Sequence, residues 1–561
     1  MARTVGIGIQ NFEKIITNNF FYVDKSSFIK EWWESGDSVT LITRPRRFGK
    51  TLNLNMLNYF FSVEHAGRSD LFEHLSIWKE EKYRKIQGTY PVINLTFADI
   101  KSRNYDSIKK EIYLLLVNLY EQNRFILDGG SFTEVEKELY NAVNMEMDEV
   151  IAAKAIQRMC NYMYRYYGKK VIVLLDEYDT PMQESYVNGF WEEMVAFIRS
   201  MFNSTFKTNE YLESGIMTGI TRVSKESVFS DLNNLKVVTT TSNEYATSFG
   251  FTEEEVFAAL EECGYADMKE NVKAWYDGFI FGKYTDIYNP WSVLHFLDTG
   301  KLGTHWANTS SNGLVSKLIR EGNRDIKTTF ECLLRGGTIR SSIDEQIVYN
   351  QLSQNPNAIW SLLLASGYLK VLHVDFAQEE WQVLEYELTL TNREVRLMFT
   401  SMVNNWFAEA GSCYNDFIKS MLNGDLEAMN EYMNELTMET FSYFDAGSKN
   451  MRTACEKFYH GFVIGLLVEL RDRYTITSNR ESGLGRYDVM LEPKHAQDDA
   501  FVLEFKVFNA KREKTLEDTV ASALTQIEEK QYAAGLMTKG IPEDKIHKYG
   551  FAFEGKTVLI G

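Results

Sequence analysis

The sequence predicts a multidomain α/β protein: a core on a mainly parallel sheet, a helical and winged-helix middle region, and a second α/β domain at the C-terminal end. Three observations predict it. Short, β-branched apolar runs recur between residues 39 and 241, with helix-period stretches between them. From Thr252 the pattern turns helical, opening on Thr252-Glu253-Glu254-Glu255 with acids in a first turn. Near the end, two apolar runs flank a polar turn and are followed by another helical stretch. At 561 residues the chain is too long for one core, and three or four domains are expected. The divisions are placed at 1–250, 251–400, 401–445 and 446–561. Hydrophobic content of 44% and charge of 25% are ordinary globular values, so disorder is not the organising feature.

Residues 6–37 read as a small lead-in, with a helix starting near Ser26 or Ser27. Residues 39–42 are a buried strand. Residues 44–48 cannot continue it, because Pro45 lacks an N–H and Gly49 invites a tight turn. Leu52, Leu54, Met56, Leu57, Phe60 and Phe61 then recur at near-helical spacing. Strand, turn, Gly49-Lys50-Thr51 and helix together are the context of a phosphate-binding loop. Backbone N–H groups and a helix N-terminus face the phosphates, Lys50 supplies a mobile charge, and Thr51 offers its hydroxyl to Mg²⁺. The common pattern has glycine at position 44, whereas this chain has Arg44, with Arg46 and Arg47 close behind. A part for the three arginines in phosphate binding is left open, with Arg46 and Arg47 placed at the nucleotide; the competing reading is a basic loop with a chance Gly-Lys-Thr.

Residues 44–51 closely resemble the loop of AAA-ATPase-like proteins that carry a C-terminal nuclease-like domain, a family in which the missing first glycine is usual. The resemblance implies a phosphate-loop ATPase core, ATP and Mg²⁺ as cofactors, and Arg46, Arg47, Gly49, Lys50 and Thr51 at the nucleotide. Residues 22–25 resemble a segment that family places before the loop; packing is preferred there to a base contact.

Residues 91–97 read as the second strand, and 105–167 as a long helical region with a loop near Asp128-Gly129-Gly130. Residues 170–179 are an apolar run ending in acids. Asp176 at the strand tip is expected in the Mg²⁺ shell, and Glu177 is expected to orient or deprotonate the attacking water. The competing reading is a buried strand entering an acidic turn. Residues 213–223 give a further strand, and the resemblance makes Thr221 and Arg222 candidate γ-phosphate sensors; the competing reading is an ordinary strand end. Residues 237–241 complete a five-stranded sheet. Residues 275–281 and 288–292 again resemble the family, and their aromatics read as a packed lid. Residues 360–371, then 386–390, suggest a helix and strand pair as in a winged helix, where Glu379 and Glu380 disfavour phosphate contact. Helices from Glu394 to about Ser442 form a connector.

Residues 486–491, a polar turn over 493–499, and residues 501–507 form a hairpin. Alternation puts Glu504 and Lys506 on one face and Phe501, Leu503, Phe505 and Val507 on the other. Burying an unpaired charge is costly, so an acid and a lysine inside so apolar a strand need a reason. Asp488 on the neighbouring strand reaches the same place. Asp, then Glu-x-Lys across a hairpin, resembles the active site of the PD-(D/E)xK nuclease superfamily, which implies a restriction-endonuclease-like α/β domain. Asp488 and Glu504 are hard oxygen ligands suited to Mg²⁺, and Lys506 positions or activates the attacking water. The superfamily often adds an acid from the preceding helix and a glutamine from the following one; Glu456, as a metal ligand, and Gln526 occupy those places. His460 is read as a core histidine.

A net charge of −18 opposes broad coating of nucleic acid but leaves room for a local basic groove. The five cysteines are scattered and without C-x-x-C spacing, which suits a reducing cytoplasm. With no apolar signal segment and no long apolar run, no membrane is expected. The expected function is an ATP-binding, ATP-hydrolysing protein that controls a Mg²⁺-dependent nuclease in defence or mobile-element biology. Its expected partner is nucleic acid, DNA ahead of RNA, and a homo-oligomer is allowed. The rivals are a nucleotide-switched signalling or scaffold protein with an inert nuclease-like domain, and an ATPase with an inert tail.

Overall fold

The computed structural model describes residues 3–129, 132–221, 229, 232–306, 313–321, 324–344, 358–375, 384–409, 413–440, 463, 467, 470, 473–478, 481–482, 485–486, 488–495, 497–554 and 557–561. The backbone divides into two units, Met1–Phe399 and Thr400–Gly561. No helix among the described residues is long and apolar enough to cross a membrane.

In the first unit, β1 (Val39–Thr43), β2 (Val92–Thr96), β3 (Val171–Asp176), β4 (Leu212–Gly219) and β5 (Leu235–Val238) form an all-parallel sheet in the order β2-β3-β4-β1-β5. β1 and β3 are buried along their whole length, which is why they read as unbroken apolar runs: helices cover both faces of a parallel sheet. The expected helical region over 105–167 is divided into Tyr105–Gln122, Phe125–Gly129, Glu134–Asn141 and Glu149–Tyr167. Asn104 and Asp148 start the two long helices by accepting from the N–H groups of Ser107 and Ile151. Asp128 and Gly129, expected in a loop, close the short helix; Gly130 lies outside the described residues. The fourth strand stops at Gly219, short of the expected Val223. The cause is local: the N–H groups of Ile220 and Thr221 donate to Asp179 Oδ2 at 3.0 and 2.9 Å and leave the ladder.

Thr252 caps helix Glu253–Glu262 through a reciprocal bond with Glu255, as the acidic first turn suggested. β6 (Phe251–Thr252), β7 (Phe279–Phe281) and β8 (Tyr284–Tyr288) form a small antiparallel sheet around an aromatic core that includes Phe21, Tyr276, Tyr288 and Phe296. Further on, β9 (Ile339–Ser342), helix Ala358–Ala365, β10 (Leu369–Asp375) and β11 (Glu385–Leu390) give the expected helix and strand pair plus a third strand, in the order β10-β11-β9. Glu379 and Glu380 lie outside the described residues.

The second unit holds helices Cys413–Asn423 and Leu426–Thr440. Its strands are β12 (Tyr474–Ser478), the short pair β13 (Glu481–Ser482) and β14 (Gly485–Arg486), β15 (Val489–Pro493), β16 (Ala500–Val507), β17 (Ile546–Glu554) and β18 (Thr557–Ile560). The mixed sheet runs β12-β15-β16-β17-β18, with β16 antiparallel to β15 and parallel to β17. The expected hairpin is present, but its first arm starts at Val489; Arg486 belongs to β14 and pairs with Glu481. Helix Leu516–Glu529 connects β16 to β17 and packs on both. Gly550 permits that approach, because a Cβ there would sit 2.9 Å from the Val520 carbonyl oxygen. Asn430 and Asn434 exchange paired bonds with the backbone of Ile560 and Val558, so their amides cover the sheet edge as another strand would.

Candidate functional site

The order of the parallel sheet brings the C-terminal ends of β1, β3 and β4 together, the edge on which open α/β sheets bind ligands. The chain leaves β1 with the Arg44 N–H donating to the Gly219 carbonyl at 3.1 Å, then turns through residues 45–49 into helix Lys50–Phe61. Gly49 caps that helix at φ 82°, and no atom lies within 4 Å of where its Cβ would stand. Backbone conformation, not crowding, calls for glycine there. Lys50 folds back over the loop, donating to the Arg44 and Pro45 carbonyls at 2.9 Å each. Burial lowers the Lys50 pKa, while Glu177, Asp176 and Asp179 pull it back up.

The loop and the tip of β3 meet. Thr51 Oγ1 donates to Asp176 Oδ2 at 2.6 Å, and Thr218 Oγ1 on β4 donates to Asp176 Oδ1 at 2.5 Å. Glu177 follows at φ 50°, a left-handed conformation unusual for a residue with a side chain. Its carboxylate accepts from Thr180 Oγ1 at 3.3 Å. Arg46, Arg47, Gly49, Lys50, Thr51, Asp176 and Glu177 all line one cavity of about 810 Å³. Its apolar wall includes Ile9, Phe20, Val23, Leu54 and Trp291, and the Arg47 guanidinium stands 4.3 Å from the Trp291 ring centroid. A cavity lined by the charged groups of this loop together with apolar side chains suits a nucleotide. In the preceding segment, Lys25 bonds Glu255 and the Thr247 carbonyl, and Asp24 accepts from the N–H groups of Ser26 and Ser76. Both are holding the fold together.

Two sequence expectations change here. Arg44 is not a phosphate ligand. It is completely buried, and its guanidinium donates to the carbonyls of Thr43, Thr239 and Glu244 at 3.1, 2.5 and 3.1 Å. It also lies 4.5 Å from the Phe281 ring centroid. Burial draws its pKa down to about 9, with Glu244 opposing. Arg44 is a strut between the loop, the end of β5 and β7. Arg44→Gly, which restores the commonplace glycine, is therefore expected to destabilise the first unit by about 3 kcal/mol by orphaning buried carbonyls and opening a cavity. Chemical denaturation followed by Trp fluorescence checks this; an unchanged first transition would remove the strut role.

The second change concerns Thr221. Its hydroxyl and its N–H both donate to Asp179 Oδ2 at 2.9 Å, and the residue does not line the cavity. The carboxylate of Asp179 organises the exit of β4, so the sensor position of Thr221 is taken up by structure. Arg222 lies outside the described residues. Thr218 and Asp179 were given no role by sequence reasoning; the signals available were a polar residue inside the apolar run of β4 and a further acid in the turn after β3.

In the second unit, alternation along β16 is as the sequence suggested. Phe501, Leu503 and Phe505 enter one core with Phe551 and Phe553. Ala500 and Val502 enter another, with Ile527 and Tyr532. Glu504, only 3% exposed, continues this second face beneath helix Leu516–Glu529. Gln526 on that helix ties the cluster: its Oε1 accepts from Lys506 Nζ at 2.7 Å, and its Nε2 donates to Glu504 Oε1 and, at 3.2 Å, to Tyr532 Oη. Asp488 precedes β15 and accepts the Phe505 N–H on Oδ2 at 2.9 Å, which sets its carboxylate beside Glu504. Tyr532 was missed by the sequence reading. Burial raises its pKa, the hydrogen bond from Gln526 opposes that, and the charges of Glu504 and Asp488 add to the rise. Glu456 and His460 lie outside the described residues.

The donor sets fit Mg²⁺. Each site offers hard oxygens, a hydroxyl and a carboxylate in the first and two carboxylates in the second. Among the described residues no group of three or more His, Cys, Asp or Glu forms a closed metal cage. Mg²⁺ keeps several waters and takes one or two carboxylates plus substrate phosphates, so it needs no such cage.

Comparison with known proteins follows the same division. The chain is 24% identical, over 98% of its length and 96% of the relative's, to a protein of Azotobacter chroococcum mcd 1 named "Uncharacterized protein in vnfD 5'region". Residues 6–229 match the family described as predicted AAA-ATPase, and residues 454–561 match the PD-(D/E)XK nuclease superfamily. The chain thus joins an AAA-ATPase-like region to a C-terminal region of the PD-(D/E)XK nuclease superfamily.

Proposed function

We propose that this chain binds and hydrolyses ATP in its N-terminal cavity and cuts nucleic acid at Asp488, Glu504 and Lys506, with nucleotide state controlling cleavage. The observation that carries the reading is the C-terminal cluster, where Gln526 ties Glu504 to Lys506 and the Phe505 N–H holds Asp488 beside them, in the same chain as a formed phosphate loop. Backbone N–H groups at the start of helix Lys50–Phe61 receive the phosphates, and Lys50 exchanges its loop carbonyls for phosphate oxygens. Thr51 and Asp176 hold the nucleotide's Mg²⁺, and Glu177 orients the attacking water or takes its proton. Arg46 and Arg47 add positive charge at the cavity wall.

At the second site Asp488 and Glu504 hold Mg²⁺, which when bound polarises the scissile phosphate. Lys506 positions the attacking water, Gln526 holds Lys506 and Glu504 in register, and Glu456 remains a candidate third ligand. DNA is the preferred substrate. The chain works in a reducing cytoplasm, and the pairing of the two regions supports a role in defence or mobile-element biology. A homo-oligomer is compatible with this scheme.

The test is incubation of the pure protein with single- and double-stranded DNA and RNA, with and without Mg²⁺. Cleavage that needs Mg²⁺ supports the reading; absence of cleavage on every substrate moves the chain to a nucleotide-switched scaffold. On the ATPase side, Glu177→Gln is expected to keep ATP binding and slow turnover by about 10²–10⁴-fold, the range for losing a positioned general base. Phosphate release under saturating ATP measures it. A parental rate in the variant would place the base elsewhere.

A further inference from the structure

We infer that the loop over residues 510–514 is a clamp for the phosphodiester backbone of the nucleic acid cut next to it, with Lys511, Arg512 and Lys514 as its phosphate contacts. The inference rests on the nuclease reading and adds a substrate-binding element to it. The loop springs from the end of β16, and Lys511 follows Lys506 by five residues. Extended chain of that length reaches at most ~17 Å, a few nucleotides along a strand. β15 runs antiparallel to β16 with Val489 opposite Leu503, which puts Asp488 at the same end of the sheet.

The loop is built, not loose. The Phe508 N–H donates to the Phe553 carbonyl at 2.9 Å, and the N–H groups of Arg512 and Glu513 both donate to the Asn509 carbonyl at 2.8 Å. Glu513 is the loop's one acid, and its carboxylate is turned to internal use. It accepts from the Asn509 N–H at 2.7 Å and from Thr519 Oγ1 at 2.9 Å. Asp518, just beyond, is occupied by the helix cap with Thr515. Lys511, Arg512 and Lys514 are exposed, and among the described residues none has an ion-pair partner. Elsewhere in this unit Lys539 and Lys548 are paired, to Glu492 and Glu528. Glu517 is exposed beside them, and Glu513 and Asp518 keep their charge while bonded to the loop and the cap. In a chain of net charge −18, three exposed cations without ion-pair partners among the described residues, on an ordered loop whose own acid is bonded inward, are a local concentration of available positive charge beside the proposed phosphodiester site. Such a loop meets phosphates without an ordering penalty and reads no base.

The experiment measures binding of short fluorescent single-stranded and duplex DNA and RNA to the full chain, with Ca²⁺ in place of Mg²⁺, across a salt series. Two triple variants are compared with the parent: Lys511→Gln/Arg512→Gln/Lys514→Gln, and the charge-keeping Lys511→Arg/Arg512→Lys/Lys514→Arg. The glutamine variant is expected to bind about tenfold or more weakly at low salt and to lose about 2–3 from the slope of log K against log salt. The charge-keeping variant is expected to match the parent. Equal affinity and slope in the glutamine variant, with parental binding and cleavage intact, would overturn the clamp and leave the nuclease standing. Equal loss in both variants would also overturn it, since shape rather than charge would then be responsible. A parent that binds none of the probes would overturn clamp and nuclease together.

Discussion

Asp488→Ala and Glu504→Ala are each expected to reduce Mg²⁺-dependent cleavage to background. Each removes one of two carboxylates that flank the same point, one at the entry to β15 and one on the buried face of β16. With one of its two carboxylates gone the site would hold Mg²⁺ less tightly and place it less firmly for its work on the scissile phosphate. Glu504→Ala also strips Gln526 of an acceptor and loosens Lys506 through it, so it carries the larger structural cost. Lys506→Ala is expected to keep metal binding and still lose about 10²–10⁴-fold in rate, because its role is at the water. ATP binding is expected to be unchanged in all three. A cleavage assay beside a calorimetric Mn²⁺ titration separates these outcomes. Cleavage surviving in both carboxylate variants would reject this active site.

Lys50→Ala is expected to abolish the rise in melting temperature that ATP gives the parent. The ammonium is buried and now held by two loop carbonyls of its own chain, a resting position from which it turns to phosphate oxygens. Losing charge-assisted bonds to phosphate costs roughly 3 kcal/mol, on the order of a hundredfold in Kd. Thr51 and Asp176 remain bonded to each other, so the loop itself is expected to keep its form. Thermal shift with and without ATP reads the difference directly. Equal stabilisation of parent and variant would remove the phosphate-loop assignment.

What the sequence disclosed follows from how local each feature is. Gly49, Lys50 and Thr51 were legible because a strand, a turn and a helix start are adjacent in the chain, and Asp176 because it ends an apolar run. Alternation put Glu504 and Lys506 on one face of an apolar strand, where their charge drew notice. Arg44 was not, because two of its carbonyl partners, Thr239 and Glu244, are 195 and 200 residues away. Thr221 was misplaced for a similar reason: Asp179, 42 residues earlier, claims its hydroxyl. Tyr532 gave a weaker signal, a polar-tipped aromatic six residues beyond Gln526, and only the fold of β16 against helix Leu516–Glu529 brings it to the cluster.

The claim that joins the two regions is control of cleavage by nucleotide. Its most direct test is the rate of Mg²⁺-dependent DNA cleavage by the full chain as ATP is raised, in the parent and in Lys50→Ala. ATP is expected to change the parental rate with a midpoint at the parental Kd for ATP, while the variant cuts at one constant rate. A parental rate indifferent to ATP, or a variant that responds as the parent does, would contradict it.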